Sequence, residues 1–328
     1  MRILLTHSPD TLASYYGERA LAGLRKVGEV RMHEGEQPLE GDALVAAAQD
    51  CALIVSYRQS PAPASLFERL PGLVAFLRCA VDIRNVDVAA ASKAGVLVTQ
   101  ASAGFVPAVS ELVLGFLVDL SRGIGRAAAE YHAGRVPEAH SGRQLRGSTL
   151  GVIGYGAIGR EVARLGVALG MRVLVCDPYA RAGEDGVENA GFDQLLADAD
   201  FVVPLAVASP ETENLMDAAA FAKMKPGAFF INVSRGNLVD ETALEAALAS
   251  GRIAGCALDV GRAPDQMPTS RLAARADVIA TPHTAGLTPQ AIEHQSLETV
   301  AQAAEIAAGR IPKGAVNSEH WNRKELAK

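Results

Sequence analysis

TLGVIGYGAIGREVARLGVALGMRVLVCDPY, residues Thr149 to Tyr179, decides how the rest of the chain is read. An apolar run, Leu150 to Ile153, ends in Gly154-Tyr155-Gly156-Ala157-Ile158-Gly159. A helix-period segment follows, then a second apolar run, Val173 to Cys176, stopped by Asp177. Strand, glycine turn, helix, strand and acid is the order that a dinucleotide site needs. Gly154 permits the tight turn, Gly156 lets the backbone approach a pyrophosphate, and Gly159 lets the helix pack near the strand. The helix N-terminus, from Ala157 and Ile158, offers free N–H groups and the positive end of its dipole to phosphates. Asp177 falls where a carboxylate accepts from the ribose hydroxyls, and its charge disfavours a 2′-phosphate. The expectation is therefore an NAD site, with Arg181 close enough to temper the preference over NADP.

A length of 328 residues accommodates two domains. The net charge of −6 and the absence of a basic stripe argue against a nucleic-acid partner. Cys51, Cys79, Cys176 and Cys256 lie far apart without metal-ligand spacing, so no metal is expected. Buried reduced thiols fit a cytoplasmic location. MRILLTHSPD has too short an apolar run for a signal peptide and reads as a first strand. No apolar run reaches membrane-spanning length, so no membrane partner is expected.

Short apolar runs alternate with helix-period segments, the pattern of a parallel α/β architecture. Strands are expected at Arg2–Leu5, Ala52–Val55, Leu73–Leu77 and Val96–Thr99, with helices at Leu12–Val27 and Pro63–Leu70. A long helix is expected from Pro107 to Ala133. After the glycine turn, strands follow at Arg172–Cys176, Phe201–Val203, Ala228–Val233, Gly255–Asp259 and Val278–Ala280. A last helix, Pro289 to Ala308, comes too late to extend the dinucleotide unit and is read as returning to the first domain. Residues 1–101 and 288–328 then form a discontinuous substrate domain, flavodoxin-like and α/β. Residues 102–287 form a doubly wound Rossmann domain for the cofactor.

Three segments fall where strands of that second domain should end, the edge at which open α/β sheets bind ligands. Asn232-Val233-Ser234-Arg235-Gly236 sets an Arg after a buried strand, a costly place unless it meets an anion or faces water. Alone, such an Arg is as often a surface residue. Ala257-Leu258-Asp259-Val260 ends an apolar strand in an acid, whose competing reading is a cap or loop anchor. Thr281-Pro282-His283-Thr284-Ala285-Gly286 fixes a His in a small-residue turn. His7, His33, His132, His140, His294 and His320 have no such context and read as structural.

Together these segments resemble the D-isomer-specific 2-hydroxyacid dehydrogenases, the group containing phosphoglycerate, glycerate and formate dehydrogenases. The resemblance also takes in Asn85-Val86-Asp87, Ser110-Glu111-Leu112-Val113 and Ser209-Pro210-Glu211-Thr212, and so covers nearly the whole chain. It implies an NAD-dependent oxidoreductase acting on a small 2-hydroxy or 2-oxo acid. Arg235 would bind the carboxylate and polarise the carbonyl, since a guanidinium holds two oxygens in a fixed fork. His283 would be the general acid and base. Ser234 would lie at the cofactor, and Asp259 would meet the nicotinamide carboxamide. A homodimer through the cofactor domain is also implied.

The chain departs from the family in places. Relatives follow the Asp-Val pair with Glu-Pro, whose Glu supports the catalytic His. Here Asp259-Val260 is followed by Gly261-Arg262-Ala263-Pro264-Asp265, so Asp265 is the nearest carboxylate to take that part. The Gly-x-Gly of the substrate loop is replaced by Ala80-Val81-Asp82, with Arg84 after it. Val81, Asp82, Arg84 and Arg58 are accordingly expected at the substrate, the two arginines either suiting a second anionic group or being solvated surface residues. The alternatives are an NAD(H)-binding regulatory protein with weakened turnover, or a family dehydrogenase using an unusual anionic donor.

Overall fold

The computed structural model describes residues 1–323. The chain divides into two compact units, Met1–Phe105 with the chain from Thr288 onward, and Val106–Leu287.

In the first unit β1 (Arg2–Leu5), β2 (Glu29–Met32), β3 (Leu53–Ser56), β4 (Ala75–Arg78) and β5 (Leu97–Gln100) form a parallel sheet in the order β2-β1-β3-β4-β5. Helices α1 (Pro9–Tyr15), α2 (Glu18–Val27), α3 (Gly41–Ala48), α4 (Ala64–Arg69) and α5 (Val88–Lys93) connect them. The inner strands are apolar on both faces because helices cover both. Ile3, Leu5, Val55 and Leu77 pack with Leu21 and Leu24 of α2 and with Ala303 and Ile306 of the helix Pro289–Ala307. Leu4, Ile54, Phe76 and Val98 pack on the opposite side with residues of α3, α4 and α5. The last long helix is therefore part of the first unit's core.

Some expected boundaries move, each for a local reason. The first unit runs to Phe105 rather than Ala101. Ser102 anchors the extra residues by donating its N–H (2.6 Å) and hydroxyl (2.8 Å) to Glu298. The Leu12–Val27 helix is two helices, parted at Tyr16 and Gly17. The Pro107–Ala133 helix is likewise α6 (Val106–Arg122) and α7 (Ile124–His132), because Gly123 takes a φ of 67° that no helix interior allows. Strand β2 was not foreseen: Glu-Val-Arg-Met is a short charged edge, the kind that carries little hydrophobic signal.

In the second unit seven parallel strands follow: β6 (Thr149–Ile153), β7 (Arg172–Cys176), β8 (Val187–Asn189), β9 (Phe201–Pro204), β10 (Ala228–Asn232), β11 (Ile253–Leu258) and β12 (Val278–Ala280). Their order, β12-β11-β10-β9-β6-β7-β8, reverses direction between β6 and β9. Helices α8 (Ala157–Ala168), α9 (Phe192–Asp198), α10 (Ala218–Lys223), α11 (Glu241–Ala249) and α12 (Ser270–Ala273) join the strands. Phe221, Met224, Phe230, Leu244 and Leu248 lead the core between the sheet and α9 to α11. This is a doubly wound sheet, and its switch point opens outside the carboxyl ends of β6 and β9. Among the described residues no helix is long and apolar enough to cross a membrane.

Candidate active site

The glycine turn leaves β6 into the switch point. Gly154 has φ 100°, and a Cβ there would lie 2.6 Å from the Ala206 nitrogen, so only glycine fits against the loop after β9. A Cβ on Gly159 would meet the Gly154 carbonyl oxygen at 2.1 Å, which brings α8 hard against the turn. Gly156 differs: a Cβ there would touch nothing within 4 Å. The open space over Gly156 is what a pyrophosphate requires, and the N-terminus of α8 carries no side-chain cap. Ala157 and Ile158 begin that helix. The residues present thus fit a dinucleotide.

Asp177 ends β7 and organises the same corner. Its carboxylate accepts from the main-chain N–H groups of Tyr155 (2.7 Å), Tyr179 (2.7 Å) and Ala180 (2.8 Å). Burial pushes its pKa up, but those three donors outweigh burial and hold it below the usual carboxylate value. Tyr155, inside the turn, donates its hydroxyl to Glu184 (2.7 Å) and lies under the Arg160 guanidinium, 4.4 Å from its ring centre.

At the end of β10, Asn232 brackets the next two candidate residues, Ser234 and Arg235. Its side chain accepts from Ser234 N (3.0 Å) and donates to the Arg235 carbonyl (3.0 Å). The Ser234 hydroxyl reaches across to the Ala206 carbonyl (3.0 Å), tying the β10 end to the loop beside the glycine turn. Arg235 is half-buried and donates from Nη1 to the Ser234 carbonyl (2.8 Å). Gly236 follows because its backbone meets that of Gly261, where a Cβ would lie 2.1 Å from the carbonyl oxygen. Arg262 reinforces the same junction, donating to the carbonyls of Asn237 (3.2 Å) and Val239 (3.1 Å) and pairing with Glu213 (2.8 Å).

Asp259, at the end of β11, is fully buried (0 % exposed). It was expected at the nicotinamide carboxamide, yet its carboxylate is engaged on the turn that carries His283. One oxygen accepts from the Thr281 hydroxyl (2.6 Å) and Thr284 N (2.8 Å), the other from Ala285 N (2.9 Å). The Asp259 carbonyl also accepts from His283 N (2.9 Å). The competing reading of this residue as a loop anchor fits that geometry.

Asp265 does come to His283, but through its main chain. The imidazole Nδ1 lies 2.8 Å from the Asp265 carbonyl oxygen. A carbonyl can only accept, so Nδ1 carries the proton and Nε2 is the nitrogen left for chemistry. The group of Asp265 that orients the imidazole at Nδ1 is thus its carbonyl. Asp265, Gln266 and His283 all have left-handed backbone, φ 55°, 57° and 55°. Such non-glycine conformations cost about 1–3 kcal/mol each and persist where the surroundings enforce them.

In the first unit the loops after β3 and β4 hold Arg58, Val81, Asp82 and Arg84. Arg84 was expected to add positive charge for a second anion. Instead Nε lies 3.0 Å from each Asp82 oxygen and Nη2 lies 2.6 Å from one, so Asp82 offsets its charge locally. The Arg58 guanidinium sits 5.8 Å above the Tyr15 ring, and its carbonyl accepts from the Asn85 amide (3.1 Å). Val81 is half-buried. Sequence reasoning gave no part to the side chains of Arg78, Asn232 and Arg262. Their signal is weak, since each acts through carbonyls, hydroxyls and amides that no motif records.

A doubly wound parallel sheet with a glycine-turn cradle and an acid after the second strand defines a dinucleotide-binding unit of the Rossmann class. Residues 114–285 match the family model described as "D-isomer specific 2-hydroxyacid dehydrogenase, NAD binding domain", and the chain belongs to that family. It is 35 % identical over 311 residues, 93 % of its length, to a D-3-phosphoglycerate dehydrogenase of Mycobacterium leprae. The chain spans 58 % of the length of that relative. Among solved structures it resembles the apo form of D-lactate dehydrogenase from Escherichia coli, with 26 % identity and a TM-score of 0.79. That match covers 96 % of this chain and 100 % of the other. D-lactate dehydrogenase with NAD+ from Lactobacillus jensenii matches with 25 % identity and a TM-score of 0.83, covering 96 % and 99 %.

Proposed function

We propose that this protein is an NAD(H)-dependent dehydrogenase that interconverts a small 2-oxo acid and its 2-hydroxy acid. The observation that carries this reading is the fixed tautomer of His283, whose Nδ1 is committed to a carbonyl while Nε2 is kept as a proton donor or acceptor. A bound nicotinamide supplies or removes the hydride. Arg235 holds the substrate carboxylate and draws electron density from the carbonyl, so charge developing on oxygen meets a permanent cation. In reduction, the protonated His283 gives its Nε2 proton to that oxygen. In oxidation, neutral His283 takes the hydroxyl proton at the same atom. Asp259 keeps the His283 turn in place, and Asn232 does the same for Ser234 and Arg235. Asp177 favours NAD over NADP by charge.

The four free cysteines, three of them buried, support a reducing, cytoplasmic setting. Exposed Ile124 and Tyr131 on α7 and Val136 after it support a homodimer through the cofactor-binding unit. The absence of the family Glu from the segment after Asp259-Val260 favours a second reading, a nucleotide-binding regulator with weak turnover.

The test is NADH oxidation against a panel of 2-oxo acids, from glyoxylate and pyruvate to dicarboxylic and phosphorylated members. Turnover that vanishes in Arg235→Ala and His283→Ala supports the dehydrogenase. Tight NADH binding with no turnover of any acid favours the regulator.

A further inference from the structure

We propose that the Arg78 side chain is a positioning residue for the binding of the substrate anion, a buried cation that fastens the two loops of the first unit whose residues Arg58, Val81 and Asp82 are expected at the substrate. The inference rests on the 2-hydroxyacid reading above and assigns a role to a residue that does not itself reach solvent.

Arg78 closes β4 and is 0 % exposed, the largest side chain buried so completely. Its Nη1 donates to the Ser56 hydroxyl (3.1 Å) and to the Tyr57 carbonyl (2.5 Å), both at the end of β3. Its Nη2 donates to the Asn85 side-chain oxygen, and the Asn85 amide in turn donates to the Arg58 carbonyl (3.1 Å). One guanidinium therefore bridges the loop after β3, which carries Arg58, and the loop after β4, which carries Val81 and Asp82. A planar fork with donors on two edges can do this; a lysine ammonium, a single point, cannot span both.

The charge is as informative as the geometry. All of its hydrogen-bond partners among the described residues are neutral, and its Nε, also buried, has none. Burial lowers its pKa to about 10, opposed by Asp82 and Cys79, which leaves it charged at neutral pH. Asp82, the nearest acid, is itself paired with Arg84. A buried charge without an ion partner is expensive, and an apolar residue at such a site is often as stable or more so. A buried cation that no carboxylate pairs directly, set beneath the Cys79–Arg84 loop, makes the main-chain N–H groups of that loop a better anion site.

The experiment compares wild type with Arg78→Met, Arg78→Lys and Asn85→Ala. KM and kcat are measured for the preferred 2-oxo acid, with calorimetric affinities for NADH and for oxamate, an unreactive 2-oxo acid analogue, in the presence of NADH. Arg78→Met should weaken oxamate binding and raise KM by about tenfold or more, with kcat and NADH affinity changed by less than about threefold, as expected for lost ground-state binding. Arg78→Lys should recover part of that loss by restoring charge. Asn85→Ala, which keeps the cation, should move KM the same way by a smaller factor and serves if Arg78→Met does not fold. A residue that only supports the fold would lower the active fraction and leave KM alone. The proposal is overturned by wild-type oxamate affinity in Arg78→Met, by Lys no better than Met, or by wild-type KM in Asn85→Ala. If wild type turns over no 2-oxo acid, the functional reading fails by itself, and the oxamate comparison still decides the role of Arg78. No oxamate binding by wild type overturns both.

Discussion

Asn in place of Asp259 is the sharpest test of how His283 is held. The carboxylate accepts from three groups of the His283 turn at 2.6–2.9 Å, two on one oxygen and one on the other. An amide keeps one acceptor oxygen and turns the other into a donor. Its better orientation keeps the Thr281 hydroxyl and Thr284 N–H and points NH2 at the N–H of Ala285, which is buried. One charge-assisted hydrogen bond is lost and two donors face each other, a destabilisation of about 3 kcal/mol. For a unit of this size that lowers the melting temperature by roughly 6–12 °C. His283 would also drift, and a displacement of about 1 Å in a catalytic group costs on the order of a hundredfold in rate. The assay is calorimetric melting of Asp259→Asn alongside kcat and NADH affinity. Expected are a lower melting temperature, a lower kcat and nearly unchanged NADH binding. Wild-type melting with weaker NADH binding would refute the anchor and restore Asp259 as a nicotinamide ligand.

His7 is 1 % exposed, neither ring nitrogen has a hydrogen-bond partner, and burial pushes its pKa from 6.5 down to about 3. Below pH 6.5 the unfolded chain gains a proton that the folded chain refuses, so stability falls as pH drops from 6.5 toward 3, by about 2 kcal/mol at pH 5. His7→Phe should flatten that part of the melting-versus-pH curve, and an unchanged acid slope would contradict this. Gly156→Ala, whose Cβ meets open space, should keep wild-type stability and lose NADH affinity, while Gly159→Ala, whose Cβ meets a carbonyl at 2.1 Å, should lose stability. Fluorescence titration with NADH and thermal melts separate the two; full NADH affinity in Gly156→Ala would count against the cradle.

Both sheets were legible in sequence because parallel strands covered on two faces are continuous apolar runs, and the glycine turn set the second unit's order. Two of the four edge strands were not, since Glu29–Met32 and Val187–Asn189 lie half in solvent and have no such run. Helix breaks were missed for a related reason. Hydrophobic periodicity carries through Gly123 almost undisturbed, although its backbone turns left-handed there.

The limits at the site are of another kind. Motif reading assigns chemistry to side chains, so a missing Glu beside His283 sends the search to the next carboxylate along, Asp265. The contact found at His283 Nδ1 is made by the main-chain carbonyl of that residue. Its carbonyl reaches Nδ1 because Asp265 and Gln266 both adopt left-handed backbone, a conformation that neither residue type announces. The carbonyl fixes the tautomer as a carboxylate would, but brings no negative charge to stabilise an imidazolium. A family Glu joins orientation and charge in one group, whereas the orienting group at Nδ1 here is a main-chain carbonyl. Replacing Asp265 by Asn leaves the orienting carbonyl in place and removes the carboxylate's charge; a fall in kcat would show that the charge contributes beyond orientation, and an unchanged kcat that the carbonyl suffices.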